Sequence, residues 1–259
     1  MAAYLEYGLD GRGALITGAG TGIGASCAVE LAKAGAKVAL FGRRTGPLEE
    51  VLAQCNKYTP GSFVLSLDVT DETAVKAAVK QAHDSFGRVD VLVNNAGVDS
   101  DYQVGENPFE HYYDMGEDEY ISFFRVHAFG HYAMTRACAE FMVPAKFGRV
   151  VNVTSVLGLT GGYSAAAYTA SKAAAILQTK SLARKYGRHN ITVNSVAPGL
   201  VNTPMKKNST SEEFTYVANI TPLGRTAEPI DIARVVMFFA QENLFITGQN
   251  IVPDGGSNM

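Results

Sequence analysis

Thr17-Gly18-Ala19-Gly20-Thr21-Gly22-Ile23-Gly24 follows the short apolar run Ala14–Thr17 and leads into a helical pattern ending at Ala34. Glycines between a strand and a helix let the backbone turn tightly and approach a pyrophosphate. The N–H groups and positive end of the helix then stabilise that anion. Downstream, short β-branched runs alternate with longer helical patterns. Ala14–Thr17, Lys37–Phe41, Phe63–Leu67, Val89–Asn94, Arg149–Thr154, Ile191–Ala197 and Gln249–Val252 read as strands. Gly22–Ala34, Pro47–Lys57, Asp71–Ser85, Glu117–Val143, Tyr168–Gly187 and Pro229–Ala240 read as helices. The alternation predicts an α/β fold, a three-layer sandwich of a seven-stranded parallel sheet with helices on both faces.

The bulk properties agree. With 259 residues, 47% hydrophobic and 18% charged, the chain is long enough for one large domain and ordinary for a globular one. A net charge of −3 gives no footprint for nucleic acid or an anionic membrane. No run approaches the roughly 18 apolar residues of a spanning helix. Cys27, Cys55 and Cys138 are odd in number and far apart, so they read as reduced residues of a cytoplasmic protein. Met1–Gly13 lacks the basic and apolar regions of a secretory signal. No metal is assigned.

Chemistry enters with Tyr168 and Lys172, which sit at i and i+4 and so share a helix face. An ammonium beside a phenol favours the phenolate and draws its pKa from about 10 toward the range of an acid/base catalyst. Ser155, thirteen positions upstream, supplies a hydroxyl for a substrate oxygen.

Together, T-G-x-x-x-G-x-G at Thr17–Gly24, Asn94-Asn95-Ala96-Gly97, Tyr168-x-x-x-Lys172, Asn194–Gly199 and Asp254-Gly255-Gly256 make the chain resemble the short-chain dehydrogenase/reductase family over nearly its whole length. The resemblance implies a single Rossmann-type catalytic domain over residues 1–259. It implies that Tyr168 exchanges a proton with the substrate oxygen, that Lys172 holds the nicotinamide ribose and the tyrosine pKa, and that Ser155 orients the substrate. Gly18, Thr21, Gly22, Ile23, Gly24, Asp68, Val69, Asn95, Ala96, Gly97, Pro198, Gly199, Val201 and Thr203 become the expected cofactor contacts, with Tyr168 and Lys172. A homotetramer or homodimer is also implied.

After the second strand, where enzymes using NAD usually carry an acid, this chain has Gly42-Arg43-Arg44. A guanidinium pairs with a 2′-phosphate and a carboxylate repels it, so NADP(H) is expected, with Arg43 first and Arg44 second. Two solvated surface arginines are the alternative.

One position departs from the pattern. Relatives carry an asparagine where this chain has His127, within Val126–Gly130. The asparagine holds a helix distortion and a water that leads protons from the lysine. A histidine could keep that relay and make it pH-sensitive, or merely fill space.

Substrate selection is expected in an aromatic, acidic insertion within Asp99–Tyr120 (substrate loop 98–118) and in a lid at 200–225. The insertion's aromatics could instead pack on a neighbouring subunit or on their own domain. Leu157, Leu159, Tyr163, Tyr102 and Met205 are the candidate pocket, suggesting an apolar cyclic, aromatic or polyketide-like carbonyl compound. Reduction of a 3-oxoacyl-carrier protein is the second reading, with Lys146, Arg149, Arg184, Lys185 and Arg188 as a docking patch for an acidic carrier. A nucleotide-binding scaffold without catalysis is the third.

Overall fold

The computed structural model describes residues 7–99, 115–161, 166–206 and 211–258. Tyr102, Tyr163 and most of the 98–118 insertion lie outside the described residues. Seven strands form one parallel sheet in the order β3-β2-β1-β4-β5-β6-β7. They are β1 (Gly13–Thr17), β2 (Lys37–Gly42), β3 (Phe63–Ser66), β4 (Val91–Asn94), β5 (Gly148–Val153), β6 (Ile191–Val196) and β7 (Asn250–Ile251). The helices are α1 (Gly22–Lys33), α2 (Thr45–Cys55), α3 (Glu72–Phe86), α4 (Glu117–Phe124), α5 (His131–Ala145), α6 (Leu157–Thr160), α7 (Ala166–Tyr186), α8 (Ser211–Ile220) and α9 (Pro229–Ala240). All seven expected strands are present, with ends shifted by a residue or two. This is the Rossmann-type architecture.

Strand residues alternate between two apolar layers, as a sheet covered on both faces requires. Ile16, Val38, Leu40, Val91 and Val93 pack with Leu31 of α1, Leu48 of α2, and Val236 and Phe239 of α9. Leu15, Ala39, Phe41 and Leu92 pack on the other side with Val79 of α3, Met134 and Cys138 of α5 and Leu182 of α7. The three cysteines are free and buried. Burial pushes the Cys27 thiol up to about 12 and the Cys55 thiol up to about 11. Among the described residues no helix is long and apolar enough to cross a membrane.

Strand order reverses between β1 and β4, which pair side by side through Ala14↔Val91 and Ile16↔Val93. The carboxyl ends of these two strands therefore flank the crevice where such folds bind ligands.

Three features differ from the sequence expectation. The long Glu117–Val143 helix is interrupted by a π-helical turn, Arg125–Gly130, between α4 and α5. The 200–225 stretch contains a helix, α8, where its Asn, Ser and Thr content reads as loop. Arg149 is not a docking residue. It is 1% exposed, and its guanidinium donates to the carbonyls of Gln241 (2.8 Å), Gly148 (2.8 Å), Asn190 (3.1 Å) and Glu242. Lys146, Arg184, Lys185 and Arg188 precede β5 or β6, at the end of the sheet opposite the crevice.

Candidate active site

The crevice begins with a staple between β1 and β4. The Thr17 hydroxyl accepts the N–H groups of Asn95 and Ala96, each at 3.0 Å, and donates to the Val93 carbonyl. The Asn95 amide donates to the carbonyls of Thr17 and Gly18, both at 3.1 Å. Gly18 takes φ +63°, a left-handed conformation that favours glycine, and a Cβ there would lie 2.9 Å from Asn95 Nδ2. A Cβ on Gly24 would lie 2.3 Å from the Gly18 carbonyl oxygen. Helix α1 starts from Thr21 with no side-chain cap and no acid in its first turn, so its positive end is not neutralised locally. A close backbone approach and an uncapped helix start fit a dinucleotide pyrophosphate.

Around this turn, Arg43 and Arg44 are exposed at the end of β2, where Arg44 is the N-cap residue of α2. Asp68 Oδ1 accepts from the Thr70 N–H (2.9 Å) and hydroxyl (2.8 Å). The Thr70 N–H, and to a lesser degree the Arg43 charge, hold its carboxyl below the usual range. Val69 packs against Gly130 so closely that a Cβ on Gly130 would lie 2.7 Å from Val69 Cγ2. This contact ties the segment after β3 to the π-turn. After β6, Val201 pairs with Ala227, and Thr203 packs over Gly22. The Pro198 carbonyl accepts from Val156 (3.0 Å), and Gly199 packs on Asp254.

Ser155, Tyr168 and Lys172 stand at the carboxyl end of β5 and on the first two turns of α7. Lys172 is 4% exposed, and its Nζ donates to the Val153 carbonyl at 3.2 Å. That bond brings α7 against the segment carrying Ser155. Lys172 Nζ lies 5.7 Å from the Tyr168 ring centroid. Burial lowers the Lys172 pKa to about 8, partly offset by the charge of Asp99. Ser155 Oγ accepts the Leu157 N–H at 3.2 Å, which orients the hydroxyl. Tyr168 is half-buried and meets the His127 ring edge-on at 5.4 Å and the Phe123 ring at 6.4 Å. Gly97 makes room for this cluster, because a Cβ there would lie 3.2 Å from His127 Nε2 and 3.7 Å from Lys172 Nζ.

His127 is fully buried in the π-turn. Its Nε2 accepts the Val98 N–H at 3.0 Å, and its Nδ1 contacts Ser171 Oγ at 2.9 Å. Burial, and then the Lys172 charge, hold it neutral. His131, one turn on, was not singled out by sequence, although its i+4 spacing from His127 marks a shared helix face. Its Nε2 lies 3.3 Å from the Ala96 carbonyl, its Nδ1 has no hydrogen-bond partner among the described residues, and burial drops its pKa to about 3. Of the candidate pocket residues, Leu157 is half-buried, while Leu159 (51%) and Met205 (48%) are exposed.

Comparison with known proteins agrees with this geometry. The family model described as short chain dehydrogenase matches residues 12–213. The 3-oxoacyl-[acyl-carrier-protein] reductase FabG of Vibrio cholerae is 36% identical, over 97% of this chain and 99% of that protein. The L-rhamnose 1-dehydrogenase (NAD(P)(+)) of a Sphingomonas species is 34% identical, over 96% of each. The crystal structure of levodione reductase aligns with a TM-score of 0.86 at 31% identity, covering 96% of this chain and 98% of that one. An oxidoreductase of CH–OH and keto groups, with a nicotinamide cofactor, is what these likenesses support. The chain belongs to the short-chain dehydrogenase family.

Proposed function

We propose that the protein is an NADP(H)-dependent reductase that interconverts a ketone or aldehyde with an alcohol. The observation that carries this reading is the buried Lys172 ammonium beside Tyr168. A bound nicotinamide supplies or accepts the hydride. Tyr168 donates its phenolic proton to the carbonyl oxygen in reduction and takes it back in oxidation. Lys172 stabilises the phenolate form by its charge, and Ser155 holds the substrate oxygen. The glycine turn, with Thr21 and Ile23, takes the pyrophosphate. Asp68 and Val69 border the adenine, and Asn95, Ala96, Gly97, Pro198, Gly199, Val201 and Thr203 flank the nicotinamide half. In Tyr168→Phe, kcat is expected to fall by about 10²–10⁴-fold with cofactor binding retained. Full activity in that variant would overturn the assignment.

Arg43 and Arg44 support NADP(H), because they are exposed at the end of β2 with no carboxylate between them and Glu49. Arg43→Ala is expected to raise KM for NADPH by about tenfold or more and to leave KM for NADH nearly unchanged, consistent with one charge-assisted phosphate contact. A lower KM for NADH than for NADPH in the native protein would reverse the cofactor assignment. The exposed side chains of Leu159 and Met205 favour an apolar substrate.

The curated relatives that reduce 3-oxoacyl-carrier protein keep that substrate as a second reading. Lys146, Arg184, Lys185 and Arg188, which could dock an acidic carrier, lie away from the crevice; a free acetoacetyl thioester and a cyclic ketone, assayed side by side, discriminate. Apolar side chains exposed on β7 and its flanks, including Phe245, Ile251 and Val252, support a homo-oligomer, with a tetramer the first expectation.

A further inference from the structure

Resting on the catalytic assignment of Tyr168 and Lys172, the geometry points to His127 as a positioning residue: a permanently neutral clamp that joins the loop after β4 to the catalytic helix, rather than a proton relay. The hydrogen bonds leave one consistent assignment. Val98 donates its N–H to Nε2 at 3.0 Å, so Nε2 is unprotonated. A neutral imidazole then carries its hydrogen on Nδ1, which donates to Ser171 Oγ at 2.9 Å. Ser171, having accepted that hydrogen bond, spends its own hydrogen on the Tyr168 carbonyl at 2.8 Å. The chain Val98 N–H to His127 to Ser171 to Tyr168 thus runs in a single direction and is complete.

Charging His127 would require a proton on Nε2, where the Val98 N–H already points. The groups around the ring oppose it as well. Lys172 approaches from α7 with a positive charge that disfavours another, while His131 approaches from α5 and is itself held neutral by burial. Asp99, in the loop after β4, acts on Lys172. Tyr168 and Phe123 meet the imidazole in T-shaped contacts at ring-centroid distances of 5.4 and 5.9 Å. The clamp fixes three things at once. It holds the backbone of Val98 beside Gly97, the first turns of α7 through Ser171, and the Tyr168 ring through edge contact. Gly97, lacking a side chain, allows His127 Nε2 and Lys172 Nζ to approach the same point of the crevice.

Two substitutions separate a clamp from a relay. His127→Gln keeps one acceptor and one donor at similar reach, whereas His127→Leu keeps volume and neither bond; neither side chain titrates. For a clamp, Leu is expected to lower kcat by ~10–100-fold with KM for the cofactor little changed, as for a small misplacement of a catalytic group, and Gln to restore most of the loss. For a relay through a titrating ring, Gln is expected to shift the pH–rate profile of kcat, whereas for a clamp the profile is that of the native protein. Equal loss in the two variants, or no loss in either, overturns the proposal. A second readout needs no variant to fold. The ¹⁵N spectrum of the native protein is expected to show the Nδ1–H tautomer of His127, unchanged between about pH 5.5 and 8.5. A titrating ring or an Nε2–H tautomer overturns the clamp. If the native protein turns over no carbonyl compound, the catalytic assignment fails, while the tautomer still reports on the clamp itself.

Discussion

Two buried cations stand at opposite ends of the same sheet, and they are treated oppositely. Arg149, at the start of β5, is surrounded by four backbone carbonyls and stacks at 4.3 Å on Phe147, whose ring also receives Arg12 at 4.0 Å. Beside it the Asp90 carboxylate accepts from the Gly13 N–H (2.9 Å), Arg12 (3.2 Å) and Arg88. Lys172, packed beside the carboxyl end of β5, has one hydrogen bond among the described residues, to Val153, out of three donors. A saturated charge stabilises the fold and does nothing else. Burial lowers the pKa of both cations, but Lys172 keeps donors with which a ligand can offset its desolvation.

The sharpest way to break this comparison is to remove each cation. Lys172→Met is expected to lower kcat by about 10²–10⁴-fold while leaving the melting temperature unchanged or higher, because the cost of a buried charge disappears. Arg149→Met is expected to cost about 3–5 kcal/mol of stability, since it strands carbonyls, and to leave kcat per folded molecule near the native value. Equal loss of stability in both variants, measured by denaturant unfolding, would erase the distinction. A smaller effect belongs to His131. Its folded pKa, about 3, lies below the ordinary 6.5, so the unfolded chain binds a proton that the folded chain refuses. Its stability is therefore fully present above pH 6.5 and lost progressively as pH falls from 6.5 toward 3, by at most about 1.4 kcal/mol per pH unit. His131→Gln is expected to flatten the fall in melting temperature between about pH 6.5 and 4.5. An unchanged slope would assign that loss to His127 and the carboxylates instead.

Local chemistry was legible in the sequence, and long-range accommodation was not. The glycine turn announces itself because Gly18 and Gly24 must stand within a few residues of each other at a strand's end. Tyr168 and Lys172 announce themselves because a helix places i and i+4 together. Nothing local says that Thr17 will receive the N–H groups of Asn95 and Ala96, or that Ser171 will complete a chain from His127. The π-turn is silent in its composition, since Arg125–Gly130 contains ordinary helical residues, and the family resemblance alone places a helix distortion there. Arg149 misled for a related reason, since a charged residue at a strand start reads as surface until its carbonyl partners arrive from Asn190, Gln241 and Glu242. The helix α8 was hidden by polar composition, because the amphipathic signal of a short lid helix is easily outweighed by its Ser and Thr content.

The Thr17 hydroxyl bridges segments 78 residues apart in the chain. The nucleotide crevice therefore cannot exist in a half-folded intermediate that has formed β1 and the first helix alone; it waits for β4 to dock alongside. Distant pairing of this kind slows the search for the native state. Mass action then works in the molecule's favour, because any dinucleotide in solution selects the fully assembled sheet and draws the population toward it.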